Sequence, residues 1–520
     1  MDLFQSDKFI ARVNDLLEEW HCPGIAIALV QDDQISSRGF GKACVDPEKP
    51  MTADTLFDIA SSSKSLTAAA VALLVEDDER FPQVKWDAKM SDLLPEDFVM
   101  SEESYTREIT VEDILSHRTG LPRWVIRLLY YLLAGSNGYS HDLSYKHSDT
   151  PRSVTRNLRN LQITKPIRTT EQYNNMMFTV ATHLIETLTG QTFADFLRER
   201  FWKPLGMTST HLGPEAAIAA GLQDRIITPY HWERTTKTLN TVKLQYVPEA
   251  QGAGSIFTSA NDYILWVKAM MNQEEPVTEA VYKGLVKPRT ISDPDEEPKD
   301  RERYTSPALY CAGLGTSYYR GYQKIAHTGG DPGVASYHFF LPQLKFGGVV
   351  LGNVGFTGLV SCILAPELID AAIGVPEAER PDWNAREHKD DDEYHAKSDN
   401  RWREALGIPA EGAVPESEPL VRSLDAYVGA YQNVGYHELV VEVKDGELFI
   451  DATDRTMGFW LTLEHFKDQQ RFVGHEVQYY DGCKGKVAVK FRFEGEESRT
   501  AAVGLDLEED VGDFIWFDRM

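Results

Sequence analysis

The sequence predicts an α/β domain with a helical region, followed by a separate all-β domain, and three observations carry that reading. Short β-branched runs near the N-terminus return only after Gly313, and helical stretches fill the interval. Residues 376–421 then turn acidic and proline-bearing. Beyond them, apolar and polar residues alternate with the period of two that half-buried strands require. The first domain therefore builds one sheet from strands drawn from both of its ends.

The opening helix is read from Phe9, Val13, Leu16, Leu17 and Trp20, which recur at helical spacing. After the breaker Pro23-Gly24, residues 25–30 and 35–41 flank Gln31-Asp32-Asp33 and predict a hairpin. Residues 111–115, 176–188 and 260–271 read as helices. Ser259 starts the last of these, with Asp262 three residues on where a capping box carries Glu. Residues 337–341 and 346–350 are apolar strands divided by the turn-like Pro342-Gln343-Leu344-Lys345. The stretch 376–421 holds Pro376, Pro381, the acidic run 389–393, Pro409, Pro415 and Pro419. It offers little apolar surface to repay ordering and is expected as a mostly exposed linker. Residues 439–443 and 447–450 then flank Asp445-Gly446, a strong hairpin signal. Val487, Val489, Phe491 and Phe493 alternate with polar or small residues, and 514–517 closes the chain. The expected boundaries are a first domain over 1–375, a linker over 376–421 and a β domain over 422–520. No internal repeat is visible.

Composition excludes several classes. A chain of 520 residues with 42% hydrophobic and 26% charged residues lies near globular averages, unlike disordered, collagen-like or disulfide-stapled proteins. Its 53 Lys+Arg stand against 80 Asp+Glu, a net charge of −27. Such a surface repels phosphate backbones and anionic bilayers, so neither nucleic acid nor membrane is an expected partner. Cys22, Cys44, Cys311, Cys362 and Cys483 are odd in number and lack metal-ligand spacing, so neither a disulfide framework nor a metal is expected. The N-terminal residues carry acids and no apolar core of signal-peptide type. The longest apolar stretch, 66–75, is half the roughly 20 residues of a bilayer span. A soluble, cytoplasmic protein is the expectation.

The sharpest local signal is Asp58-Ile59-Ala60-Ser61-Ser62-Ser63-Lys64, followed at once by an alanine-rich helical run. A serine at a helix start lies near backbone N–H groups and the positive dipole end, which suits a nucleophile gaining negative charge. Lys64 lies over the same helical face, within reach of the Ser61 hydroxyl. A desolvated amine gives up its own proton more readily and can then accept that of the serine. Alone, the tetrapeptide favours an ordinary N-cap. Tyr173-Asn174-Asn175 precedes the next helical run. Tyr173 can share a proton with Lys64, and the Asn175 amide can orient Lys64 and bind a substrate carbonyl. Alone, these are turn residues. In His327-Thr328-Gly329-Gly330-Asp331-Pro332-Gly333 the glycines permit close backbone approach, and the Gly330 N–H can complete an oxyanion hole with that of Ser61. His327 is a candidate donor to Tyr173 or substrate.

In this order and spacing the chain resembles the serine β-lactamase and penicillin-binding-protein-like superfamily, in the branch of class C lactamases, family VIII esterases and D-aminopeptidases. The blocks 22–41, 54–64, 109–122, 204–210, 252–262 and 326–336 carry the likeness in family order, covering most of 9–370. The resemblance implies an antiparallel sheet flanked by helices, with Ser61 as acylated nucleophile, Lys64 as its proton acceptor and Tyr173 as general base and acid. Asn175 would hold Lys64 and the acyl amide. Which of Lys64 and Tyr173 is the acylation base stays open, since coupled groups titrate as a pair. His327 stands where penicillin-recognising enzymes usually carry Lys, which disfavours β-lactams and resembles the esterase and peptidase branch. Trp124, Tyr130 and Tyr131 form either an apolar wall for a bulky acyl group or part of a buried helix. The C-terminal domain resembles small lipocalin-like barrels, which would lean over the active site or serve packing in a homo-oligomer.

The expected function is a cofactor-free serine hydrolase acting on an ester or amide of a small molecule. An acyltransferase of a biosynthetic pathway and a D-amino-acid peptidase or amidase share this acyl-enzyme. A catalytically inactive binding protein on the same fold is the contrasting class, and it would need none of Ser61, Lys64, Tyr173 and Asn175.

Overall fold

The computed structural model describes residues 3–122, 143–292, 301, 303–398, 400–494, 499–507, 511–512 and 514–520. Nine strands form an antiparallel sheet in the order Lys49–Pro50, Gln34–Cys44, Gly24–Gln31, Phe346–Gly352, Val334–Leu341, Tyr322–Asp331, Gly315–Tyr319, Leu309–Tyr310 and Thr290–Ile291. The two ends of the domain meet at its centre, where Ile25 lies opposite Gly352 and Gln31 opposite Phe346.

Strand Gly24–Gln31 is buried on both faces, and its alternation sorts side chains by size. Ile25, Ile27 and Leu29 share one core with the helices Asp7–Glu19 and Thr357–Ala372. Ala26, Ala28 and Val30 share the other with the helices Lys64–Glu76 and Ala260–Asn272. Every residue from Lys64 to Val75 is buried, as a helix apolar nearly all round must be. That helix draws a lysine into the interior at its first position. The Ser259 hydroxyl caps Ala260–Asn272 by accepting from the Asp262 N–H, as expected, but the Asp262 carboxylate turns to Ser209 and Thr210 instead of completing the box.

The C-terminal domain is a closed antiparallel barrel of eight strands, with Tyr431 opposite Arg519 across the seam. Its interior is filled by side chains such as Tyr431, Val441, Leu461, Phe491 and Phe517. The barrel stands against the helical region. Lys146 pairs with Asp454 at 2.9 Å, and Asn157 donates to the Gly435 carbonyl at 2.9 Å. The Thr456 hydroxyl donates to Glu249 at 2.7 Å, a fully buried carboxylate that also bonds His147 at 3.0 Å. Among the described residues no helix is long and apolar enough to cross a membrane.

Residues 376–421, expected as a mostly exposed linker, keep many exposed residues but are more ordered than that expectation. They are helical over Trp383–Ser398 and Arg401–Leu406. Trp383 is buried edge-on to Tyr319 at 6.0 Å, and Trp402, Leu406 and Ile408 pack with Phe466 and Ala488 of the barrel. Even within the acidic run, Asp391 is 3% exposed and pairs with Arg234 at 2.6 Å. A few well-placed apolar anchors suffice where average composition suggested none, while 376–379 and 409–419 stay exposed throughout. Trp383→Ala is expected to cost about 3–5 kcal/mol, read as a lower urea midpoint. An unchanged midpoint would refute the anchoring.

Candidate active site

Ser61 lies in the 3-10 turn Ala60–Ser63, which feeds directly into the helix Lys64–Glu76. Ala60 is held at φ +46°, a left-handed conformation that costs a non-glycine residue about 1–2 kcal/mol. Asp58 holds that turn, its Oδ1 accepting the Ala60 N–H at 2.7 Å. Of residues 60–65 only Ser61 is partly exposed, so the turn presents one residue to the cleft.

Lys64 is fully buried beneath it. Its Nζ donates to Ser61 Oγ at 2.8 Å and to the Ala253 carbonyl at 2.8 Å. The same nitrogen lies 4.9 Å from the Tyr173 ring centre and 5.4 Å from that of Phe178. The Ala253 carbonyl thus takes a holding role expected of Asn175, whose Oδ1 is buried without a hydrogen-bond partner. The Tyr173 hydroxyl is likewise buried with no hydrogen bond of ordinary geometry. Burial pushes the Tyr173 phenol well up, with the neighbouring Ser61 hydroxyl opposing the rise. The His117 ring packs on Tyr173 at 4.0 Å between centroids, and its Nδ1 accepts the Asn174 N–H at 3.0 Å, so it fixes the loop that carries Tyr173.

The third wall is the end of strand Tyr322–Asp331. Its pairing with Gly315–Tyr319 stops at Ala326 opposite Gly315, which leaves the following residues to meet the nucleophile turn. Ser62 Oγ lies 2.8 Å from Ser336 Oγ, and Ser336 Oγ donates to the Ile59 carbonyl at 2.7 Å. Gly329 is required here, because a Cβ would stand 2.1 Å from the Ile59 oxygen. Gly330 follows it, opposite Ala335.

His327 departs from its expected role as donor to Tyr173 or substrate. A carbonyl only accepts, so the 2.5 Å contact to Thr328 O places the proton on Nδ1, and Nε2 then accepts from the Tyr310 hydroxyl at 2.9 Å. With both nitrogens engaged and 5% exposure, the ring braces the strand. Burial and then the Lys64 charge hold its pKa down to about 3, against the Thr328 carbonyl. It is neutral at pH 7, and its contribution to stability is lost as pH falls from about 6.5 toward 3.

Asp331 does the opposite. Burial pushes its carboxyl up to about 7, with Lys64 working against the rise, and Asp58 is pushed up by burial and then by Asp331. The unfolded carboxyl titrates near 3.9, so the folded chain binds the extra proton and stability falls as pH rises from about 4 to about 7. Asp331→Asn is therefore expected to gain in urea midpoint over wild type at pH 8 more than at pH 5. A gap independent of pH would exclude this.

The structure brings Ser61, Lys64, Tyr173, Asn175, His327 and Gly329 together from three separate segments. Trp124, Tyr130 and Tyr131 lie outside the described residues. Asp58, His117, Tyr310 and Asp331 were not singled out from sequence. Asp58, His117 and Asp331 fall inside the blocks that carry the resemblance, which was the available signal.

Residues 9–358 match the model of the beta-lactamase family. The chain belongs to that family. Residues 414–519 match a domain of unknown function, DUF3471, which coincides with the barrel. This beta-lactamase-family chain is 32% identical over 520 residues to the "Unguisins hydrolase ungD'" of Aspergillus campestris (strain IBT 28561), covering 98% of this chain and 91% of that one. It is 33% identical over 486 residues to the "Unguisins hydrolase ungD" of Aspergillus violaceofuscus (strain CBS 115571), covering 88% and 81%. The octameric penicillin-binding protein homologue from Pyrococcus abyssi shares the fold, with a TM-score of 0.55 at 18% identity, covering 98% of this chain and 99% of that chain. The protein is a hydrolase of the beta-lactamase superfamily.

Proposed function

We propose that the protein is a serine hydrolase that opens an amide or ester bond of a small molecule through a Ser61 acyl-enzyme. The observation that carries the reading is the 2.8 Å bond between the fully buried Lys64 amine nitrogen and Ser61 Oγ at the foot of a strained turn. Ser61 Oγ attacks the carbonyl carbon as its proton passes to the Lys64–Tyr173 pair, which enters the step one proton short, with Lys64 as the neutral amine. The N–H groups of Ser61 and Gly330 receive the oxyanion. Tyr173 returns the proton to the leaving group, and water then releases the acyl group by the same path in reverse.

One buried polar atom without a partner favours an amide. An unsatisfied buried acceptor costs about 1–3 kcal/mol, so Asn175 Oδ1 is suited to accept the N–H of a bound substrate amide. The relatives named for hydrolysing unguisins support an unguisin, or a compound with the same acyl and amide groups, as the substrate.

The test incubates the purified protein with an unguisin and with a p-nitrophenyl ester, alongside a fluorophosphonate probe, with Ser61→Ala as control. Hydrolysis of the unguisin and labelling of wild type alone are expected. Equal labelling of both proteins, or of neither, would defeat the serine mechanism. Rapid ester turnover with an untouched unguisin would defeat only the substrate assignment.

A further inference from the structure

We infer that His231, Asp481 and Cys483 form a binding site for one zinc-class divalent cation, placed where the barrel meets the catalytic domain. His231 lies on the hairpin built from Tyr230–Glu233 and Thr238–Thr241. Asp481 and Cys483 occupy the turn between barrel strands Arg471–Gln478 and Lys484–Phe493. One ligand atom from each of the three lies within 4.8 Å of the others.

The three ligand atoms lie close enough to share one ion once the His231 ring turns. Cys483 Sγ stands 3.4 Å from both ring nitrogens of His231, so it lies over the ring, and the imidazole must turn to aim one nitrogen at a shared ion. On a tetrahedral zinc with Zn–S about 2.3 Å and Zn–N about 2.0–2.1 Å, sulfur and nitrogen are about 3.6 Å apart. Asp481 supplies the third donor. Its Oδ1 accepts the Cys483 N–H at 2.9 Å and so shapes the turn, while its Oδ2 is buried without a hydrogen-bond partner. A carboxylate oxygen in that position is costly, and a cation is the partner that suits it. Asp481 is 8% exposed and Cys483 2%. Imidazole, thiolate and carboxylate together are a zinc donor set with a fourth position for water. Binding converts the Cys483 thiol to thiolate and releases its proton to solvent.

The position gives the ion a structural task. A methyl on Gly333, just past Gly329 and Gly330, would press on Pro229 and Val242 at the root of the His231 hairpin. The Lys243 N–H donates to the Tyr480 carbonyl at 3.1 Å, and its Nζ lies 3.6 Å over the Tyr479 ring. A cation held there fastens the barrel turn to the hairpin that backs the oxyanion strand. Sequence spacing could not reveal it, because His231 and Cys483 are 252 residues apart.

The test loads full-length wild type, His231→Ala and Cys483→Ser with Zn²⁺, passes them over a weak chelating resin and measures retained metal by mass spectrometry. Wild type is expected to keep one zinc per chain and each variant to bind at least about tenfold more weakly. Co²⁺ added to wild type should give a thiolate-to-cobalt charge-transfer band together with tetrahedral d–d absorption. Zn²⁺ should raise the Tm of wild type and leave that of Cys483→Ser unchanged. Equal zinc retention by wild type and variants, or cobalt-loaded wild type without the thiolate band, would overturn the site. The cobalt spectrum needs no variant, so a variant that fails to fold does not protect the proposal.

Discussion

Ser61→Ala is expected to lower kcat on a hydrolysable ester by about 10⁴-fold or more, with KM and Tm close to wild type. The size of the loss reflects a covalent step that no neighbour can replace. The lack of any stability effect follows from the local bonds. Lys64 keeps the Ala253 carbonyl, and the turn keeps its Asp58 brace to Ala60. Single-turnover and steady-state kinetics with a p-nitrophenyl ester check the first part, and a thermal melt checks the second. A variant that retained more than about 1% of wild-type kcat would remove Ser61 from the covalent role.

Gly329→Ala is expected to lower kcat/KM by about 10²-fold or more while the barrel still folds. The added methyl would fall 2.1 Å from the Ile59 oxygen, 2.4 Å from Ser336 Oγ and 3.0 Å from the Ser62 nitrogen. Two of those atoms are backbone, so the strand end must move off the nucleophile turn instead of a side chain swinging away. Overpacking of this kind costs about 1–3 kcal/mol, and a displacement near 1 Å at reacting groups costs about 10²-fold in rate. Kinetics paired with a melt separate the effects. Wild-type activity in this variant would mean that Gly330 plays no part in holding the oxyanion.

Local chemistry was legible in the sequence where neighbours in the chain are neighbours in space. Ser61 and Lys64 share a helical turn, and the strands Gly24–Gln31 and Gln34–Cys44 share a hairpin, so spacing put each pair within reach, although the role of Ser61 and Lys64 rested on the resemblance. Residues whose role depends on a distant segment were misassigned or missed. His327 read as a donor to the cleft because Tyr310, which occupies its Nε2, lies on another strand. Ala253 could not be foreseen, since a backbone carbonyl carries no sequence signature. The helices and anchors within 376–421 were missed for another reason: its Trp383 and Trp402 are too few to shift a composition average, yet each reaches a preformed apolar surface.

The antiparallel join at the centre of the sheet also sets an order of assembly. The Gly24 N–H donates to the Asn353 side chain across 329 residues of chain. During synthesis the apolar strand Gly24–Gln31 therefore emerges long before Phe346–Gly352 can cover its free edge. For that interval the nascent chain carries an open strand edge, a template for wrong pairing. Closure of such a distant contact is slow, and folding of the catalytic domain should begin in earnest only once residues near 352 have left the ribosome. The barrel, built wholly from later residues, would then dock onto a domain that has already closed.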